Sequence, residues 1–251
     1  MNKEELIQKQ NEIDERIKQI WGENCSLDGI TDIDSYLNSY LNNELPTLWI
    51  LKEMNRDFQK SGIVNQRELN RDIAGGSIRT WGNIMKVSAG IREYAASGGN
   101  KQLHETDLPN IVEDSGSKAY YSDVSQCEIF PLDQIAMINV HKGIGTSKSD
   151  NSFISAQYSK PEIRKLILDQ VDYIAPKVII VCNYVEQLLC DLAGIDDISE
   201  YQKLDDSYNL YYKTSKRLII STGHPLIRGQ KGLTSEKYCN DILDIVYDSG
   251  I

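Results

Sequence analysis

The sequence predicts an α/β fold, a three-layer αβα arrangement with a central four-stranded, mostly parallel sheet. Three observations carry that expectation. Four short runs, 47–51, 135–140, 178–182 and 218–220, are apolar and rich in β-branched residues without alternation, as suits strands buried on both faces. Segments with helical spacing of apolar residues lie between and after them, the alternation that builds a parallel sheet with crossover helices. Each run also stops abruptly in polar or basic residues, at the strand ends where open parallel sheets bind ligands.

Taken in order, residues 1–21 place Leu6, Ile13, Ile17 and Ile20 near helical spacing among charges, a surface helix that Gly22 ends. A second helix is expected over 32–42, where Ile33, Tyr36, Leu37 and Leu41 share a stripe. Pro46 then clears the way for the first strand, which is crowned by Lys52-Glu53-Met54-Asn55-Arg56-Asp57. From Phe58 to about Phe130 the pattern weakens: residues 81–94 read as a helix, and 95–125, rich in Gly, Ser, Asn and Asp, as a long irregular insertion. The second strand ends in Asn139-Val140-His141-Lys142, before a glycine- and serine-rich loop over 143–159. Pro161 opens a helix to about Tyr173, Ala175-Pro176-Lys177 leads into the third strand, and 184–192 is a further helix. The acidic stretch 193–209 reads as a turn and an irregular connection. The fourth strand breaks at Gly223-His224-Pro225, and 235–247 forms a helix with Tyr238, Ile242 and Ile245 inward. The expected organisation is a single domain over 1–251, with an N-terminal helical extension 1–45 and an insertion of about 58–130.

Charge limits the partners. With 27 Lys and Arg against 37 Asp and Glu, the formal net charge of -10 argues against broad, nonspecific attraction to nucleic acid. A local basic face is still open, because Lys52, Arg56, Lys142, Lys148, Arg228 and Lys231 all follow expected strands. No apolar run approaches the roughly 18–20 residues of a membrane helix, and the N-terminus is too charged for a secretory signal. A cytoplasmic monomer without membrane contact is the expectation. Five cysteines without a C-x-x-C pair indicate neither a disulfide framework nor a zinc or iron-sulfur site, so no metal or other cofactor is expected.

The chemistry-bearing residues gather at three strand ends: Glu53, Asn55 and Asp57 after the first, Asn139, His141 and Lys142 after the second, His224 and Arg228 after the fourth. A carboxylate or amide, an asparagine and a histidine converging on one crevice position a water, read the edge of a planar ring, and stabilise negative charge on a leaving group.

These residues, in this order, resemble the uracil-DNA glycosylase superfamily. The match runs through LWILKEMN (48–55), INVHK (138–142), APKVIIV (175–181) and STGHPLIR (221–228), covering roughly 47–245. Closest in motif order is the thermophilic, iron-sulfur branch, whose cluster cysteines this chain lacks. The resemblance implies a uracil-DNA glycosylase-like fold and a hydrolase that excises uracil or a damaged base from single- or double-stranded DNA. It makes His224 the group that stabilises the departing base as an anion, and Asn139 the reader of the flipped base's edge. Glu53 or Asn55 holds the attacking water, depending on which variant of the family's first motif is aligned. Phe58 or Trp81 serves to stack on the base, Lys142, Lys148, Arg228 and Lys231 hold phosphates, and Leu226 or Ile227 wedges into the stack.

The first motif departs from the family: Lys52-Glu53-Met54-Asn55-Arg56 has neither its glycine nor its proline, and Lys52 stands at the glycine position. That departure, with the acidic charge, favours a second reading: a non-catalytic nucleic-acid or nucleotide-binding protein on the same fold. A third, an unrelated flavodoxin-like or nucleotide-binding α/β protein, shares the strand pattern, although Gly143-Ile144-Gly145 lacks the third glycine of a dinucleotide fingerprint.

Overall fold

The computed structural model describes residues 2–42, 44–53, 63–71, 78–107, 119–122, 124–143, 151–182, 185–204, 207–225, 227 and 233–251. From the N-terminus the chain runs through α1 (Lys3–Trp21), β1 (Ser26–Leu27), β2 (Gly29–Ile30), α2 (Ile33–Leu41) and β3 (Thr47–Glu53). It continues through β4 (Val64–Asn65), α3 (Gln66–Arg71), α4 (Ile78–Ala96), β5 (Tyr120–Ser122) and β6 (Cys127–Ile129). Then come β7 (Ile135–His141), α5 (Asn151–Tyr158), α6 (Pro161–Ile174), β8 (Val178–Val181) and α7 (Glu186–Ala193). The last elements are β9 (Gln202–Lys203), β10 (Leu210–Lys213), β11 (Leu218–Ser221) and α8 (Ser235–Ser249).

The central sheet has seven strands in the order β2-β7-β3-β8-β11-β10-β9, a correction to the expected four. The four apolar runs form its parallel centre, with Trp49 in register with Met137 on one side and Ile180 on the other. Antiparallel β2 closes one edge, and antiparallel β10 and β9 extend the other. The three additions escaped the sequence pattern because β2 and β9 have two residues each and β10 is half-exposed, so none carries a continuous apolar run.

Alternation along the strands divides the core in two. Leu48, Ile50, Ala136, Ile138, Ile179 and Ile219 face a core completed by α1, α2, α5, α6 and α7. Trp49, Met137, Ile180 and Ile220 face the other, covered by α4 and α8. Every central strand therefore buries both faces, which is why each reads as an unbroken apolar run. At Gly90 α4 comes so close to α8 that an added Cβ would stand 2.5 Å from the Leu243 side chain.

Within the stretch 1–45, Leu6, Ile13, Ile17 and Tyr36 are buried in the first core, and β2 joins the sheet. The expected insertion supplies α4, a principal cover of the second core, and a β5–β6 hairpin. The loop expected over 143–159 contains α5, a short helix in which Ile154 and Tyr158 are buried and Phe153 packs partly buried on the first core, too brief a stripe to stand out in the sequence. Among the described residues no helix is long and apolar enough to cross a membrane.

In chain order the parallel strands stand second, first, third, fourth across the sheet, so the order reverses between β3 and β8. At such a reversal the connections diverge to opposite sides and leave a crevice beyond the strands' carboxyl ends.

Candidate functional site

At the carboxyl edge of the parallel strands, Glu53 at the end of β3 stands in register with His141 at the end of β7, and Leu51 with Asn139. His224 follows three residues after the last residue of β11. The strands bearing Asn139 and His224 are three positions apart, about 14 Å at ordinary strand spacing, with the strand of Glu53 between them. The expected site residues Asn55, Phe58 and Arg228, and with them Lys148, Lys231 and Leu226, lie outside the described residues.

The end of β7 is held by a buried polar network. Asn139 is fully buried, and its backbone N–H donates to Asp28 Oδ2 at 2.7 Å. Its side-chain Nδ2 donates to Gln66 Oε1 and, at 3.4 Å, to Asp28 Oδ2. Asp28 also accepts from Lys142 Nζ at 2.7 and 2.8 Å and from Gln170 Nε2 at 3.0 Å. Lys142 and Asp28 both have no exposed side-chain surface. Burial pushes the Lys142 ammonium down from its ordinary range while Asp28 opposes that shift. The expected phosphate-holding role of Lys142 is corrected accordingly: its charge is directed to Asp28 and to the Asn139 carbonyl at 2.8 Å, away from solvent.

The neighbouring chain segments bring these partners in. β1 pairs in parallel with β4, Ser26 opposite Val64, which sets Gln66 at the start of α3 beside the end of β7. Arg67 then ties α3 to α1 through Asp14 at 2.6 Å, and burial raises the Asp14 carboxyl against the opposing pull of Arg67.

The end of β11 is built differently. Tyr238 of α8 donates to the Gly223 carbonyl at 3.2 Å, and Asn83 of α4 donates to the Pro225 carbonyl at 2.6 Å. Asn83 is itself held by Ser235. The backbone is thus pinned on both sides of His224, whose side chain is exposed. Ile227 closes the turn, its N–H donating to the His224 carbonyl at 2.9 Å, with φ of 58°. A β-branched residue in that region carries real strain, tolerated where the surroundings over-determine the backbone. Its side chain packs partly buried on the α4–α8 core.

The other candidates separate in the same way. Trp81 lies half-buried on α4 against the second core. His141 sits between Trp21 and Phe153, with ring centroids at 6.1 and 5.2 Å. Among the described residues no three His, Cys, Asp or Glu converge as a metal site requires. A cavity of about 340 Å³ lies among α6, α7 and the β10–β11 turn. It opens at the amino ends of the strands, away from Glu53, Asn139 and His224.

Asp28, Gln66, Gln170 and Asn83 were not singled out from sequence. Gln170 alone left a signal there: it occupies an inward position of α6 among Ile163, Leu166, Ile167, Val171 and Ile174, where an apolar residue is the norm. A polar group at such a position announces a buried partner.

No protein-family model matches this chain, and no curated protein matches it.

Proposed function

We propose that this is a uracil-DNA glycosylase-like protein that hydrolyses the N-glycosidic bond of a flipped uracil or damaged base in DNA. The observation that carries the reading is the topology: the strands that lead to Glu53, Asn139 and His224 belong to the parallel centre of one sheet, whose order reverses at β3, with these residues toward its carboxyl edge.

In this scheme the base leaves the helical stack and meets Asn139 along its edge. The bond between the sugar C1′ and the base nitrogen breaks with its electron pair on the base. An N–H of the His224 imidazole donates to the base carbonyl oxygen, where that negative charge gathers. Water held by Glu53, or by Asn55, attacks C1′, and the proton it loses passes through the Glu53 carboxylate or solvent to the departed base anion, leaving an abasic sugar and the neutral free base. The pinned backbone around His224 suits this role, because an oriented donor costs no reorganisation as charge develops.

The test is a single-uracil oligonucleotide incubated with the protein, followed by cleavage at abasic sites. Product that disappears in His224→Ala is expected, and no product at high protein concentration overturns the reading. The missing glycine and proline of the first motif and the acidic net charge favour an alternative, a non-catalytic nucleic-acid or nucleotide-binding protein on this fold. It predicts oligonucleotide binding that survives both His224→Ala and Glu53→Ala without any turnover.

A further inference from the structure

The cavity of about 340 Å³ at the amino ends of the strands lies between the last turns of α6 and α7 and the β10–β11 turn. Its size is that of a small-ligand pocket, and such pockets combine an apolar floor with a few convergent polar groups. Val171 and Leu192 are buried at the floor, with Leu168 and Ala193 half-buried beside them. The two walls differ in charge. On the helical wall stand Asp172, Asp191 and the final turn of α7, which Gly194 stops and whose last carbonyls carry the negative end of the helix dipole. Asp191 is occupied: Arg164 Nε and the Tyr158 hydroxyl each donate to it at 2.7 Å. Asp172 is exposed, and among the described residues its carboxylate has neither a hydrogen bond nor an ion pair. The facing wall is a tight turn over 214–217. The Thr214 N–H donates to the Arg217 carbonyl at 2.9 Å, and the Thr214 hydroxyl accepts from the backbone N–H groups of Lys216 and Arg217 at 3.1 and 3.0 Å. With the backbone so closed, the turn presents its two cationic side chains. Arg217 is half-buried, yet no described residue accepts from its guanidinium. A guanidinium drawn partly out of water ordinarily finds a carboxylate, and here Asp172 lines the same cavity without pairing with it.

The geometry points to this cavity as a binding site for a small zwitterion with an apolar body, a free amino acid or a dipeptide. The ammonium lies at Asp172 and the end of α7, the carboxylate at Arg217 and Lys216, and the aliphatic part on the floor between them. Recognition is two-sided. A plain anion meets the negative helical wall and a plain amine meets the two cations, so a molecule with one charge gains one attraction and suffers one repulsion. A zwitterion gains both attractions and also bridges opposite charges that the protein leaves apart. The site shares no residue with the carboxyl-edge candidates, goes beyond the glycosylase reading, and stands or falls independently of it.

The test is nitrogen-resolved NMR of the full chain titrated with leucine, phenylalanine and the dipeptide Leu-Leu. Two analogues of leucine that each lack one charge, 4-methylpentanoate and isoamylamine, are titrated beside them. Saturable shifts of the Gly194, Ser215, Lys216 and Arg217 amides are expected for at least one zwitterion, with a Kd of about 1 mM or tighter, the scale for ligands of this size. Both single-charge analogues should bind about tenfold more weakly or worse, the worth of one charge-assisted hydrogen bond. The order of affinity between the amino acids and Leu-Leu tells which of the two the cavity takes. Asp172→Asn and Arg217→Gln should each weaken the best zwitterion about tenfold. Both side chains reach solvent, and should either variant fail to fold, the wild-type comparison of zwitterion with single-charge analogues decides alone. No saturable shift at these amides with any zwitterion overturns the inference. So does an anion that binds as tightly as the zwitterions and is indifferent to Asp172→Asn, which would make the turn a bare cationic patch.

Discussion

The end of β7 and the end of β11 stand on one edge of one sheet, yet the first hides its polar groups and the second displays one. At β7 an ion pair with no exposed surface, two glutamines and an asparagine lock together. At β11 the protein spends Tyr238 and Asn83 on the backbone and leaves the histidine outward. The contrast separates two ways of preparing a polar group. One fixes the orientation of a side-chain dipole by surrounding it, which makes orientation and stability inseparable. The other fixes only the chain, so the side chain can change without disturbing the fold.

The largest effect should come from breaking the β7 network. Lys142→Ala leaves the Asp28 carboxylate buried and unpaired, and a loss of about 3–5 kcal/mol is expected in urea unfolding. Replacing both partners by apolar residues, Asp28→Leu with Lys142→Met, should recover much of it. Failure of the double variant to recover would show that the glutamines and Asn139 depend on the charge itself.

Raising the pH should act next, through buried phenols of both cores, the one that anchors the β11 end among them. Burial is the leading cause that lifts the phenols of Tyr36, Tyr120, Tyr158, Tyr173, Tyr201 and Tyr238 above their ordinary value of 10.0. The folded protein keeps these protons where the unfolded chain releases them, so their contribution is intact below pH 10 and is lost as pH rises beyond it. Lys142, lowered by burial, has the opposite sign and gains with pH only through the window below 10.5. A melting temperature that falls above pH 10, as phenolate absorbance appears, is the expected net result. A flat profile would mean that the phenol anchoring Gly223 is not sealed from water.

The smallest change in stability belongs to His224→Ala, within about 0.5 kcal/mol by urea unfolding because the side chain is exposed. Turnover on a uracil oligonucleotide should nevertheless drop by roughly a hundredfold or more, the scale for removing one oriented donor to developing charge. A large stability loss would place the imidazole in the architecture of the turn.

These two strand ends were unequally legible. The parallel strands and principal helices follow from local periodicity: α1 ends at Gly22, α6 begins at Pro161, and the four apolar runs are the four central strands. His224 could be singled out because a strand stops at it. The short motif INVHK, by contrast, reads as three polar groups at a strand end, yet its lysine and its asparagine are wholly inside. The lysine's partner Asp28 lies 114 residues away, in a stretch without apolar periodicity. No local pattern encodes a pairing over that separation; only the antiparallel approach of β2 beside β7 brings it about. Gln66 comes to Asn139 through the equally short β1–β4 pairing, two residues long on each side.

Those brief outer strands have a further consequence. A sheet rich in isoleucine and valine is a template for any other chain that can pair with its rim. Here the rim offers little to copy: β9 is two residues, Gln202 and Lys203, both exposed. On the opposite side the N–H of Ile30 in β2 is already taken by Gln10 of α1 at 3.1 Å. The aggregation hazard of so apolar a centre is met at its margins, by strands too short to recruit a neighbour.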